Sequence, residues 1–424
     1  RFGEYATMQF TNARVRENYA RRFSIRYPNE ELEAARPLLT TPIYHKQKQA
    51  GAQFGAAFGL EIPLWYAPDG VSDVFSWRRS TDFDHVGDET RAVRESVGLG
   101  DISGFAKYQV TGRGAADWLD RILACKMPPV GRMVLAPMLK HDGKIIGDFS
   151  LARLADDDFL IIGSGIAESY HMRWFLSHAS GIDDLRIDSL GLNLVGLTLA
   201  GPKSREVLQS CTSSDISHEH MRFMAIKKME IGMVPAIVGR VSYTGDLGYE
   251  IWLAPAYLNR LFDHLMTAGA AHNIRLFGSR ALNALRLEKN YGSWGREYRP
   301  VYGPVETGLD AFVAYDKPVD FIGKAGALKE RESGGTMRLC SFIIEAKDAD
   351  VIGDEPISYN GSVVGWVTSG GYAHGAGKSM AQGYVPKEIA NDDRGWSIEL
   401  LGENLVAKCQ KFPLFDANAS RMRS

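Results

Sequence analysis

A change of period near residue 336 constrains this chain more than any other feature. From about 43 to 330 the apolar residues alternate between strand and helix spacing; beyond 336 the helical signal disappears and short strands with tight turns take over. In the first stretch KYQVTG (107–112) is a strand, and GAADWLDRILA sets Ala115, Trp118, Leu119, Ile122 and Leu123 on one helical face. KIIGDFSLARL and DFLIIGS form a hairpin-like pair across Asp156 and Asp157. A helix is expected through Tyr170 and Trp174, and MVPAIVGRVSY and YEIWLAP are strands flanking TGDLG. Pro255 stands where a helix would begin, with Leu258, Leu261, Phe262 and Leu265 on its buried side. This pattern predicts an α+β arrangement of antiparallel strands with helices on one face. In the second stretch TMRLCSFIIE, PISY, SVVGWV, QGYVP, WSIELL and LVAKCQKF are strands, and Asn360-Gly361 favours a type I′ hairpin turn. A small closed β-barrel or sandwich over 336–424 fits.

At 424 residues the chain is too long for one ordinary core, so two or three domains are expected. Residues 1 to about 40 read as a helix from Phe10 to Phe23 and an irregular connector framed by Pro28 and Pro37. Such a segment buries little alone and is expected to lie against a neighbouring domain. The sequence opens at Arg1, inside a charged helical stretch, as a processed chain or a piece of a longer one would. Lys and Arg (49) balance Asp and Glu (51), a net charge of −2, which provides no field for nucleic acid or anionic lipid. With no apolar run of membrane length, a soluble protein is expected, cytoplasmic or, in a eukaryote, in the mitochondrial matrix. Cys125, Cys211, Cys340 and Cys409 are far apart without a CxxC pair, and read as reduced, mostly buried thiols.

Three motifs invite a cofactor and fail. HGAGKS (374–379) resembles a phosphate loop, but Tyr372 stands where the first glycine is needed, and a strand follows instead of a helix. GSG (163–165) would put its third glycine at Glu168, outside any βαβ unit, so no flavin or nicotinamide site is expected in this chain. His218-x-His220 lacks a third ligand at matching spacing and reads as a solvated loop, leaving no metal site.

Five segments in order carry a resemblance: GLGDISGFAKYQVTGRGAADWLDRIL, GKIIGDFSLARL, VSYTGDLGYEIWL, GSRALNALRLEKNYGSWGRE and VGWVTSGGYAHGAGKSMAQGYVP. Over about 43–424 they resemble the signature of the glycine-cleavage T-protein family. Residues 1–42 and LEKNYGSWGRE resemble its dimethylglycine and sarcosine dehydrogenase branch, where a linker joins a flavin half to a folate half. The resemblance implies a three-domain cloverleaf around a central tetrahydrofolate channel. A T-protein-like region of two intertwined subdomains would span 43–330, and a β-barrel domain 336–424. It implies capture of the methyl-derived carbon of an N-methyl amine as 5,10-methylenetetrahydrofolate. Its partners would be that amine or its iminium product and a flavin-binding domain or subunit, with FAD only outside this chain. A direct demethylase acting on sulfur, oxygen or nitrogen is a rival. A folate-binding regulatory protein is another, but that group carries KGCYxGQE where this chain has KNYGSWGRE.

Carried over residue by residue, Glu250 matches the family's pterin-binding glutamate. One carboxylate can accept from the adjacent N–H and amino groups of a pterin edge, which gives orientation as well as affinity. Asp148 matches the catalytic aspartate beside the reactive folate nitrogens. It lies in an apolar strand with Ile145, Ile146, Phe149 and Leu151, where an unpaired carboxylate is costly. Arg280 matches an arginine that pairs with carboxylates, and Arg286 reads equally as a helix-surface ion-pair partner. Ser150 and Gly163 are assigned to the folate pocket, as are Tyr243 and Tyr249, although a strand tyrosine is more often core; Leu135 stands where many relatives carry a tyrosine. The stretch Phe415 to Ala419 lacks the C-terminal tyrosine of the stand-alone T-protein, which argues against the lipoyl-protein reaction.

Overall fold

In the computed structural model, which describes residues 7–424, the change of period at 336 is a change of architecture. The first six residues of the segment assigned to 1–42 lie outside the described residues. The helix expected from Phe10 runs Met8–Arg21, because the Thr7 hydroxyl accepts the Phe10 N–H at 3.2 Å and caps it earlier. None of its residues is buried.

Beside the two-stranded hairpin Ala52–Ala57 and Leu60–Tyr66, two larger sheets fill the stretch before 336. One has five antiparallel strands in the spatial order Arg132–Leu139, Ile145–Ala155, Asp158–Gly163, Ala106–Thr111 and Arg186–Ser189. The other has six, in the order Ile226–Ile231, Val234–Gly239, Gly248–Leu253, Val195–Ala200, Gly98–Asp101 and Arg275–Leu276. Its last pair alone is parallel.

Each sheet carries helices on its outer face, as the 3.6-residue pattern predicts. Ala115–Ile122 buries Ala115, Trp118, Leu119 and Ile122 against Tyr108, Phe149, Leu151 and Ile161. Leu258–Gly269, entered through a single turn from Pro255, buries Leu258, Leu261, Phe262 and Leu265 against Leu199, Tyr249 and Ile251. Side chains alternate across a strand, so these packed faces fix the opposite ones. Asp148, Ser150 and Ala152 point inward from one sheet, and Glu250 and Trp252 from the other. The inner faces meet in an apolar seam of Met133, Ala152, Leu160, Ile162, Ile226 and Trp252.

Beyond 336 a closed six-stranded barrel completes the three-lobed fold, in the order Met337–Ile344, Lys378–Pro386, Ser362–Ala373, Pro356–Tyr359, Trp396–Leu400 and Glu403–Gln410. Asn360 and Gly361 have φ of 49° and 82°, as a type I′ turn requires. HGAGKS is the hairpin between two barrel strands, and GSG is a strand-to-helix corner before Glu168–Ser177. The Ser279–Glu288 helix packs on the Ser362–Ala373 barrel strand and on the Leu60–Tyr66 strand, joining barrel to sheets. Among the described residues no helix is long and apolar enough to cross a membrane.

Candidate functional site

Asp148 enters the site because Phe149 and Leu151 need the outer core. Its Oδ1 is buried and accepts no hydrogen bond from the protein. Burial pushes its carboxyl up to about 7; its own backbone N–H opposes this and the Glu297 carboxylate reinforces it. Tyr243 and Tyr298 lie close enough to feel its charge. The Tyr243 hydroxyl donates to the Gly292 carbonyl at 2.6 Å, and its ring stacks 6.0 Å from Tyr291. Trp294 and Tyr298 join Leu139 and Ile145 in one apolar cluster, with Leu135 against it. Leu135 and Ser150 are cross-strand partners, both half-buried, on the Asp148 face. Asp148 and Tyr243 are strongly desolvated yet keep part of their surface open, the combination expected of groups lining an internal hollow.

Glu250 faces inward from the second sheet, on a strand whose every residue is buried. Burial pushes its carboxyl up to about 7, and the neighbouring Trp252 indole draws it back only in part. Thr198 stands directly opposite it on the adjacent strand. A cavity of about 420 Å³ opens beside Thr198, lined by Lys107, Phe105, Ile166 and Leu282. Lys107 is fully buried; its Nζ donates to the Ser103 carbonyl at 2.7 Å, and burial lowers it to about 8.

The structure moves three expected residues out of this group. Tyr249 follows the alternation of its strand, so its ring lies in the outer core and its hydroxyl accepts from Arg205 Nε at 3.2 Å. Gly163 also faces outward: a Cβ there would stand 2.7 Å from the Phe149 ring, so the glycine makes room for packing. Arg280 is held by Asp73 at 2.8 and 3.0 Å and by Asp82 at 2.8 Å. It lines a separate cavity of about 640 Å³ between the Ser279–Glu288 helix, the 73–83 segment and the barrel. Arg286 is no helix-surface residue. It is buried, donating to Glu297 at 3.1 Å and Gln382 at 2.8 Å.

No periodicity or spacing in the sequence marks Trp294, Glu297, Tyr298, Lys107, Thr198 or Trp252 for a role. Trp294 and Glu297 fall inside the recognised GSWGRE, but a loop has no period from which a facing could be read. Among the described residues no group of three or more His, Cys, Asp or Glu is placed to hold a metal ion. His220 instead pairs with Asp215 at 2.8 Å.

The two inward carboxyls predict a pH dependence of stability. Their folded pKa values lie above those of an unfolded chain, so the folded state holds protons that the unfolded state releases. Their contribution is complete below the ordinary carboxylate range and is lost as pH rises through about 7. The Tm of the ligand-free protein should therefore fall from mildly acidic to mildly alkaline pH, less steeply in the Asp148→Asn, Glu250→Gln double variant. Parallel Tm curves would contradict the assignment.

Residues 43–317 match the GCVT N-terminal domain, 338–416 the glycine cleavage T-protein C-terminal barrel domain, and 1–41 the FAD dependent oxidoreductase central domain. Human mitochondrial dimethylglycine dehydrogenase is 34% identical over 426 residues, covering 100% of this chain and 49% of that protein. The chain thus spans about half the length of that relative. An aminomethyltransferase of Desulfitobacterium hafniense is 26% identical over 374 residues, 88% of this chain and 96% of its own length. Among solved structures, the glycine cleavage system aminomethyltransferase T from Bartonella henselae has the same fold, with a TM-score of 0.78 at 24% identity over 90% of this chain and 99% of its own. The first of these domain matches takes in both inward carboxylates and most of the chain, which belongs to the glycine cleavage T-protein family.

Proposed function

We propose that this chain binds tetrahydrofolate between its facing sheets and attaches to it a one-carbon unit derived from an N-methyl amine of the dimethylglycine or sarcosine type, giving 5,10-methylenetetrahydrofolate. The observation that carries this reading is the pair of buried, inward carboxylates on opposite sheets, one with an oxygen that no protein group satisfies. A buried acceptor without a partner fits a ligand that brings its own N–H groups.

Tetrahydrofolate, when bound, supplies the nucleophilic nitrogens N5 and N10. Glu250 accepts from the pterin edge and sets the orientation of the ring. Asp148 faces the reacting nitrogens; ionised, it steadies positive charge there, and it then takes a proton at its unsatisfied oxygen. A group pushed to about 7 can take and return that proton near neutral pH. Leu135, Ser150, Tyr243, Trp294 and Tyr298 wall the hollow and limit water, which favours capture by proximity. The oxidation that readies the carbon is assigned to a flavin-binding domain or subunit outside the chain. This agrees with the match of residues 1–41 to the FAD dependent oxidoreductase central domain. Such chemistry suits a soluble compartment, the cytoplasm or mitochondrial matrix.

The purified chain should be colourless and should bind one equivalent of tetrahydrofolate. Flavin absorbance copurifying in stoichiometric amount, or the absence of saturable folate binding, would overturn this reading.

A further inference from the structure

The wall of the Asp148 hollow that is least supported by regular structure is the 291–298 segment. Beyond its own backbone turns, one side chain ties it to the barrel. Glu297 is fully buried. Its Oε2 accepts the Ser293 N–H at 2.9 Å and Arg286 Nη1 at 3.1 Å, and its Oε1 accepts the Thr368 hydroxyl at 2.6 Å. Its carbonyl accepts the Tyr384 hydroxyl at 2.8 Å. Thr368 and Tyr384 belong to the barrel, and Arg286 reaches the barrel too, donating to Gln382 at 2.8 Å. The same segment supplies Trp294 and Tyr298 to the hollow, and the Gly292 carbonyl that fixes Tyr243.

We propose that Glu297 is a positioning residue through which the C-terminal barrel shapes the Asp148 hollow and sets its charge. This rests on the one-carbon chemistry proposed for Asp148. Three titratable groups face that carboxyl, Tyr243 from the turn before the Gly248–Leu253 strand and Glu297 and Tyr298 from the segment, with Arg286 behind Glu297. His171 lies beyond the Phe149 ring, 4.8 Å from it, and bonds instead to the Ile146 carbonyl. A fixed negative neighbour disfavours ionisation of Asp148, so the Glu297 charge helps Asp148 keep its proton.

Two substitutions separate the charge from the tie. Glu297→Gln keeps the volume and an acceptor for Thr368 but removes the charge and turns an NH2 toward the Ser293 N–H and Arg286. Thr368→Val removes the direct tie from the barrel to the Glu297 carboxylate and leaves the charge. The Asp148 carboxyl is followed by infrared difference titration, its band identified by loss in Asp148→Asn, and turnover with formaldehyde and tetrahydrofolate is measured in parallel. In Glu297→Gln the midpoint should move to lower pH by ~0.5–1 unit, the effect of removing one nearby charge. Turnover should fall roughly tenfold while folate affinity stays within about threefold, as for a loss confined to positioning. In Thr368→Val turnover should fall with the midpoint unmoved. An unmoved midpoint in Glu297→Gln, or full turnover in Thr368→Val, would overturn the proposal. A shifted midpoint alongside a wild type that never turns over would support the coupling and sink the one-carbon reading instead.

Discussion

Asp148→Asn should leave folate binding within a few-fold of wild type and slow methylenetetrahydrofolate formation by ~10²–10⁴, the usual share of a positioned acid–base or electrostatic group. Asparagine is nearly isosteric, so the strand keeps Phe149 and Leu151 in the outer core. What disappears is a carboxyl poised near neutrality with an oxygen that the protein leaves unsatisfied. The amide neither takes the proton nor balances positive charge on the transferring carbon. Formaldehyde and tetrahydrofolate are supplied directly, and the spontaneous condensation is subtracted. Turnover near wild type would make Asp148 structural and the catalysis mainly entropic capture. Loss of binding together with turnover would make it a ligand anchor.

Glu250→Gln acts on the other half of the site. It should weaken folate binding by ~1.5–3 kcal/mol, the range for a hydrogen bond to a charged group, or roughly 10–150-fold in Kd. Glutamine offers one acceptor where the carboxylate offered two, and turns an N–H toward the pterin edge. The fold should survive, because Glu250 is desolvated without an ion pair to lose, and the alkaline form should become somewhat more stable. Calorimetric titration with unchanged affinity would remove Glu250 from the pocket.

The residues legible in the sequence were those whose facing is dictated by period. Phe149 and Leu151 commit one side of their strand to the core, which leaves Asp148 and Ser150 for the other. The same rule excluded Tyr249 and Gly163. Tyr249 adjoins Glu250, so the motif drew it into the pocket although an adjacent strand residue must point the other way. Arg280 lies apart from the carboxylates for a different reason. Its helical position was clear, but Asp73 and Asp82 lie 207 and 198 residues away along the chain, and no local pattern announces such partners. The 291–298 wall was hidden because irregular backbone has no repeat, and its shape comes from barrel contacts made through Glu297. The barrel was plain from strand length and turn residues, since each hairpin is a local decision.

In the proposed complex folate lies between the two sheets, with the pterin on Glu250 and the reactive nitrogens at Asp148. A crystal structure of the chain with 5-formyltetrahydrofolate, a reduced folate that does not react further, tests it most directly. The pterin edge should lie within hydrogen-bond distance of both Glu250 oxygens, with N5 or N10 facing Asp148 Oδ1. A pterin seated instead in the Arg280 cavity beside the barrel, with both carboxylates left without contact, would contradict it.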